Sequence, residues 1–215
     1  MLTFANKVNL PSRRPPWPPS YIDLSYSQGH SWHDESSDAL GLWRISADVR
    51  NDDAPRDPDP VVAHVGDIEI LLVDPAETDD VVGLLHGHTA QLDRITTTIF
   101  ASDAPAATGR ALIVTRARID YAWRGFGLGI TLIGHAIKRL AGGCRIAACY
   151  PAPIPGEGPN DLLDVEDPGL ALIVLAELFE QLGFDPHARG VLVLDLSEGS
   201  LNRATATLRR RLQLA

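Results

Sequence analysis

Cysteine is nearly missing: Cys144 and Cys149 are the only two in 215 residues, so no disulfide framework can hold the chain together. Both lie in Cys-Arg-Ile-Ala-Ala-Cys-Tyr, which reads as a strand. Five residues of strand separate them by about 16 Å, whereas a disulfide needs Cα atoms about 4.4–6.8 Å apart. They cannot pair with each other, and their odd spacing predicts opposite faces of the strand, each filled by a small buried hydrophobe. Long apolar runs are also lacking. None approaches the roughly 18 residues of a membrane span, and Met-Leu-Thr-Phe-Ala-Asn-Lys has neither the apolar core nor the small-residue site of a signal peptide. The expected location is cytoplasmic, with no membrane partner. Basic residues are the minority: 19 Lys and Arg against 28 Asp and Glu leave a net charge of −9. That excludes the overall basic surface of a nucleic-acid binder and suits a cationic partner. No G-x-S-x-G elbow or Ser-His-Asp order is present, which argues against hydrolysis. His30-Ser-Trp-His33 beside Asp34 and Glu35 has the composition of a metal site, but a lone H-x-x-H is unspecific and no metal is assigned.

What remains is an ordinary globular composition, 45% hydrophobic and 22% charged, long enough to bury one full core. Residues 1–20 carry Pro11, Pro15, Pro16, Pro18 and Pro19 around Trp17 and read as an extended arm, packed on its own domain or on a dimer mate. Residues 21–215 form the domain. Strands are expected at Tyr21 to Ser27, Gly41 to Val49 and, singly or as a pair around Gly66-Asp67, Val61 to Val73. Residues 77–100 read as helix, broken or weakened at Gly83 and Gly87. A C-terminal helix from Ser197 to Leu212 puts Leu201, Ala204, Leu208 and Leu212 on one face.

The most informative stretch is Trp-Arg-Gly-Phe-Gly-Leu-Gly, residues 123–129. It follows Ala-Leu-Ile-Val-Thr-Arg-Ala-Arg-Ile-Asp (111–120), which is rich in β-branched residues and reads as a strand. It precedes a helix whose apolar face is Leu132, Ile133, Ala136, Ile137 and Leu140, with Thr131, His135, Lys138 and Arg139 opposite, ended by Gly142 and Gly143. That helix has no Ser, Thr, Asp or Asn to cap its first N–H groups. Uncapped donors at the positive end of a helix dipole, on glycines that allow close approach, make an anion site, most often for phosphate. A P-loop would need Gly-Lys-Ser/Thr, yet Ile130 and Thr131 follow the last glycine. A dinucleotide fingerprint would need a third glycine at Ile130 or Leu132 and an acid near Arg145.

R-x-x-G-x-G fits, through Arg124, Gly127 and Gly129. Here the chain resembles the GNAT superfamily of acyl-CoA-dependent N-acyltransferases. A second signature agrees: the helix opened by Asp167-Pro168 closes in Leu-Phe-Glu-Gln-Leu-Gly-Phe, residues 178–184. The resemblance covers about residues 111–197. It implies an α/β (α+β) fold, a mixed, mostly antiparallel sheet split centrally and flanked by helices, with no helix in the place of 77–100. It implies acetyl-CoA or another acyl-CoA as co-substrate and a primary amine, on a small molecule or peptide, as acceptor. Backbone N–H groups from Gly125 through Phe126, Gly127, Leu128 and Gly129 to Ile130 would bind the pyrophosphate beside Arg124, and the strand end at Ile119 and Asp120 would pair with the pantetheine arm.

The proton chemistry departs from the family pattern. The tyrosine that many members place four residues before the second signature's glycine is Phe179 here, and a phenyl ring donates no proton. Tyr150, Glu69 and Asp120 are the candidate substitutes. Tyr150 stands at a strand end, Glu69 in an alternating strand, and Asp120 close to the expected thioester, where it could also partner Arg124. Each has an equally ordinary structural explanation. The acidic stretch holding Glu157, Asp161, Asp164, Glu166 and Asp167 lies where the acceptor cleft is expected. Two other readings stay open: an acyl-CoA-binding regulatory or scaffold protein that lost its acid, and an interaction module acting through the proline-rich arm.

Overall fold

The computed structural model describes residues 15–29, 39–50, 61–78, 80–100, 109–153, 168–197 and 199–214. Most of the proline-rich arm, His30 and His33, and the acidic stretches 52–60 and 157–167 lie outside the described residues.

Seven strands form one sheet: β1 (Ile22–Gln28), β2 (Leu40–Arg50), β3 (Val61–Val73), β4 (Arg110–Ile119), β5 (Cys144–Cys149), β6 (Asp185–Pro186) and β7 (Leu192–Asp195), in the spatial order β1-β2-β3-β4-β5-β7-β6. All neighbours are antiparallel except β4 and β5, which are parallel. The expected mixed, mostly antiparallel sheet flanked by helices is what the chain forms. Residues 61–73 make one strand, bulged before Gly66, where Ala47 pairs with Gly66 but Asp48 pairs with His64.

Among the described residues, five helices cover the sheet: α1 (Val81–Leu85), α2 (Ala90–Phe100), α3 (Leu128–Leu140), α4 (Pro168–Glu180) and α5 (Ser200–Leu214). The single broken helix expected over 77–100 is two. Asp80 caps α1 by accepting from the Gly83 N–H, and Gly87 turns the chain at φ 84° before Thr89 caps α2 through the Leu92 N–H. On one face of the sheet, α1 and α2 bury Val81, Leu85, Leu92, Ile95 and Ile99 against Leu71, Val73, Ala111, Ile113, Ile146 and Ala148. On the other, α3, α5 and the turn after α4 bury Ile133, Ile137, Leu182, Phe184, Leu201 and Leu208 against Ile45, Ile68, Ile70, Leu112 and Val114. A Cβ at Gly134 would lie 2.6 Å from Leu182 and 2.8 Å from Thr205, so a side chain there would force α3 away from both.

Two expectations are corrected. Cys144 and Cys149 do not face opposite sides. Arg110 pairs with Cys144 but Ala111 with Ile146, so Arg145 bulges and resets the alternation. Both cysteines end on the α3 side, Cys149 fully buried and Cys144 half-buried with its thiol toward the Leu140 carbonyl. Burial pushes both thiols upward from the usual value, which suits inert packing groups. Thr131, expected on the polar side of α3, is buried. Its hydroxyl bonds back to the Gly127 carbonyl at 2.9 Å, which satisfies it without water.

Candidate functional site

Strand β4 changes partners halfway. Residues 111–114 pair with both β3 and β5, while Arg110 at its start pairs with β5 alone. The last β4–β5 pair is Val114 with Cys149, and β4 then runs on to Ile119 paired, among the described residues, only with β3. The sheet therefore opens on the β5 side of residues 115–119. At the same level Ile70 pairs with Val114 while Glu69 pairs with Arg116, so Thr115 is a bulge. Its hydroxyl donates to the Glu69 carbonyl at 3.2 Å. The bulge shifts the alternation by one residue. Before it, Ala111 and Ile113 face the α2 core. After it, Ala117 and Ile119 pack into the α3 core, leaving Arg116 and Arg118 on the α2 side of the sheet.

The glycine loop follows directly. Asp120 caps a turn of 3-10 helix at Tyr121–Trp123 by accepting from the Ala122 N–H, and its own N–H reaches back to the Val65 carbonyl. Trp123 is buried beneath the turn. The Arg124 Nε donates to the Ile119 carbonyl at 2.7 Å and its guanidinium lies 6.0 Å from the Tyr121 ring centroid, which fastens the loop to the strand end. Gly125 and Gly127 take φ of 87° and 74°, left-handed backbone that favours glycine. Gly127 is the N-cap of α3 and no side chain caps the helix. A Cβ at Gly127 would meet nothing within 4 Å, so its surroundings are open to an incoming molecule. Gly129 instead packs on the strand, where a Cβ would come within 3.1 Å of Ile119. Half-buried Phe126 rests on the α3 core, and Leu128 and Ile130 are buried in it, which fixes the direction of the first helical turn.

The three residues singled out for proton chemistry are dispersed. Tyr150 follows β5, one residue beyond the last β4–β5 pair, and packs on the α2 side. Its hydroxyl accepts from Arg94 of α2 at 2.7 Å, and the same guanidinium lies 4.6 Å from its ring centroid. Glu69 sits on the same sheet face in β3, 3.6 Å from Arg44 of β2 and opposite Arg116. Asp120 is occupied as a turn cap. Phe179 is 8% exposed in the α3 core, edge-to-face on Phe184 with ring centroids 5.3 Å apart, and Gly183 at φ 93° makes the turn that joins them.

Sequence reading missed the groove that Glu69 helps to line. Across β1 to β4, two rows of side chains stand in register on the α2 side: Ser27, Arg44, Glu69 and Arg116, then Ser25, Ser46, Asp67 and Arg118. They line a groove of about 280 Å³ floored by Ile45 and Ile68. At its far edge the β3 bulge brings His64 to Asp48 (Nδ1 to Oδ1, 2.8 Å) and to Asp67 (Nε2 to Oδ2, 3.1 Å), with the Ser46 hydroxyl donating to Asp48 at 2.9 Å. Burial draws the His64 pKa down, but the hydrogen bonds to Asp48 and Asp67 outweigh it and hold the imidazole above its usual range. The signal that could have found this surface is the polar alternation in Arg44-x-Ser46-x-Asp48, Asp67-x-Glu69 and Arg116-x-Arg118. Its meaning depends on bulges that sequence does not announce.

No family model and no curated protein sequence matches the chain. Five solved chains match it in structure, among them Arabidopsis thaliana NAA60 in complex with a bisubstrate analogue, with TM-score 0.37 and 12% identity over 80% of this chain and 98% of that one. At that TM-score the likeness carries no weight for function.

Proposed function

We propose that this protein is an acyl-CoA-dependent N-acyltransferase, acetyl being the simplest group transferred, acting by direct attack of a primary amine within a ternary complex. The observation that supports it best is the side-chain-uncapped N-terminus of α3, opened by left-handed Gly127 and standing next to a half-strand that no described strand pairs on its β5 side. The N–H groups of the first turn would take the pyrophosphate, with Arg124 beside them. The pantetheine arm would run along residues 115–119 as an added strand. That path brings the thioester toward the end of β5 and to Tyr150.

The amine nitrogen then attacks the thioester carbonyl, whose oxygen is met by a backbone N–H near the Thr115 bulge. The ammonium proton has first passed to Glu69, directly or through water, freeing the lone pair; the C–N bond then forms, the C–S bond breaks, and the second nitrogen proton leaves to water. Because Arg94 donates to the Tyr150 oxygen, the tyrosine's own proton is left to go to the departing thiolate. Solvent then restores it.

Gly127→Asp tests the cofactor site. Aspartate tolerates left-handed backbone and has open space there, but sets a carboxylate where the phosphate would lie. CoA affinity by calorimetry should fall at least tenfold with little change in melting temperature; unchanged affinity would refute the reading. A second reading, an acyl-CoA-binding regulatory protein, is favoured by one observation, the phenyl ring of Phe179 closed in the core. CoA binding without thiol release across a broad amine panel would select it.

A further inference from the structure

The sheet-face groove says more about the acceptor than the net charge does. On a chain of −9, this groove is lined by three guanidiniums, Arg44, Arg116 and Arg118, and by two carboxylates, Asp67 and Glu69. One of those carboxylates is shared with His64. Among the described residues the balance inside the groove is therefore positive, opposite in sign to the molecule. Cross-strand neighbours stand about 5 Å apart and next-but-one neighbours on a strand about 7 Å apart, so an anion site and a cation site alternate at the scale of a small amino-carboxylate. Guanidinium forks match a carboxylate with two parallel hydrogen bonds. The volume, about 280 Å³, suits a small ligand. Arg116 and Arg118 also stand on the half of β4 that is open on its β5 side, so whatever they hold lies beside that edge.

We propose that this groove is the acceptor subsite and that the acceptor is a free amino acid or similar small amine bearing a carboxylate, its anion held by Arg116 and Arg118 and its ammonium directed at Glu69. The inference rests on the acyltransferase reading for the role of the site, but its binding chemistry is independent. Glu69 meets the ammonium whose proton must leave before attack, while the arginines fix the other end and turn the nitrogen toward the thioester.

The test is calorimetric, on the full chain with and without saturating CoA, using a panel of N-acetyl amino acids and their carboxamides as product-like probes. At least one acid should bind at least tenfold more tightly than its amide. Arg118→Gln, an exposed change, should reduce that preference severalfold, and Arg116→Gln with Arg118→Gln should abolish it. Equal binding of every acid and amide, no binding of any acid, or a preference that survives the double variant would overturn the proposal. Acid preference in a protein that binds no CoA would uphold the groove and remove the acyltransferase reading.

Discussion

Strand β4 is built as two different half-strands, and the difference between them organises the molecule. Residues 111–114 are hydrogen-bonded to strands on both sides and buried under helices on both faces. At its start Arg110 pairs with Asp74 at the end of β3, where the hydrogen bond from Arg110 holds the Asp74 carboxyl below its usual range. Among the described residues, 115–119 are paired on one side only; they carry arginines on one face and lead into a helix whose N-cap, Gly127, offers no side-chain cap. One half is paired on both sides; the other leaves an edge that no described strand pairs and a helix start that its glycine N-cap does not cap. A single bulged residue, Thr115, separates them by turning the alternation over.

Exchanging the character of the halves should break the comparison most severely. Ile113→Arg puts a charge into the α2 core with no partner, a loss large enough against a total of about 5–15 kcal/mol to leave no cooperative melt. Ile113→Ala should cost about 2–5 kcal/mol by chemical denaturation. The converse change, Arg118→Ile, should stay within about 0.5 kcal/mol because that position is exposed. A comparable loss at both positions would show that the halves are not distinct.

Catalysis should be confined to the open end. Tyr150→Phe removes the proposed acid while keeping the ring on Arg94, and should lower kcat about a hundredfold, or about 2.7 kcal/mol of transition-state stabilisation, with CoA affinity unchanged. An unaltered kcat would leave Tyr150 as a packing residue. Next in size is Gly66→Ala. A Cβ at Gly66 would come within 2.2 Å of the Arg118 carbonyl, so β3 and β4 must part at the far end of the open half, where Gly66 pairs with Ile119. The expected cost is about 1–3 kcal/mol, with the acid-over-amide preference of the groove weakened as Arg118 moves; loss of stability alone would detach that spacing from binding.

Much of this architecture was legible in the sequence for physical reasons that are local. Glycines needing left-handed backbone at 125, 127 and 183, the apolar spacing of α3 and the β-branched run of β4 each report on their own neighbourhood. The groove was not legible, because it requires residues from four strands in register, and that register depends on bulges at Val65 and Thr115 which look like ordinary strand residues. The same blindness misplaced Cys144, through the bulge at Arg145. Arg94 was hidden for another reason: its contact with Tyr150 joins residues 56 apart in sequence, through a helix pair the family resemblance does not include. Phe179 could be seen to lack a proton, but only the packed structure places it in the core on the opposite sheet face from Tyr150.

The smallest expected effect concerns the rim of the open end, where His64 bridges Asp48 and Asp67. Its folded pKa is raised above the unfolded value, so the bridge contributes fully below about pH 6.5, where an unfolded histidine is also protonated. That contribution disappears as pH rises through the higher folded value. His64→Gln keeps a polar side chain without the charge. The stability gap between the two proteins should be widest near pH 5.5 and shrink steadily toward pH 9, never exceeding about 1 kcal/mol because the pair is largely solvated. Asp48 and Asp67 are the charged groups that set its size, so 1 M salt should narrow the gap at low pH. A gap that widens with pH would mean that His64 is held neutral, and that the positive balance of the groove comes from its arginines alone.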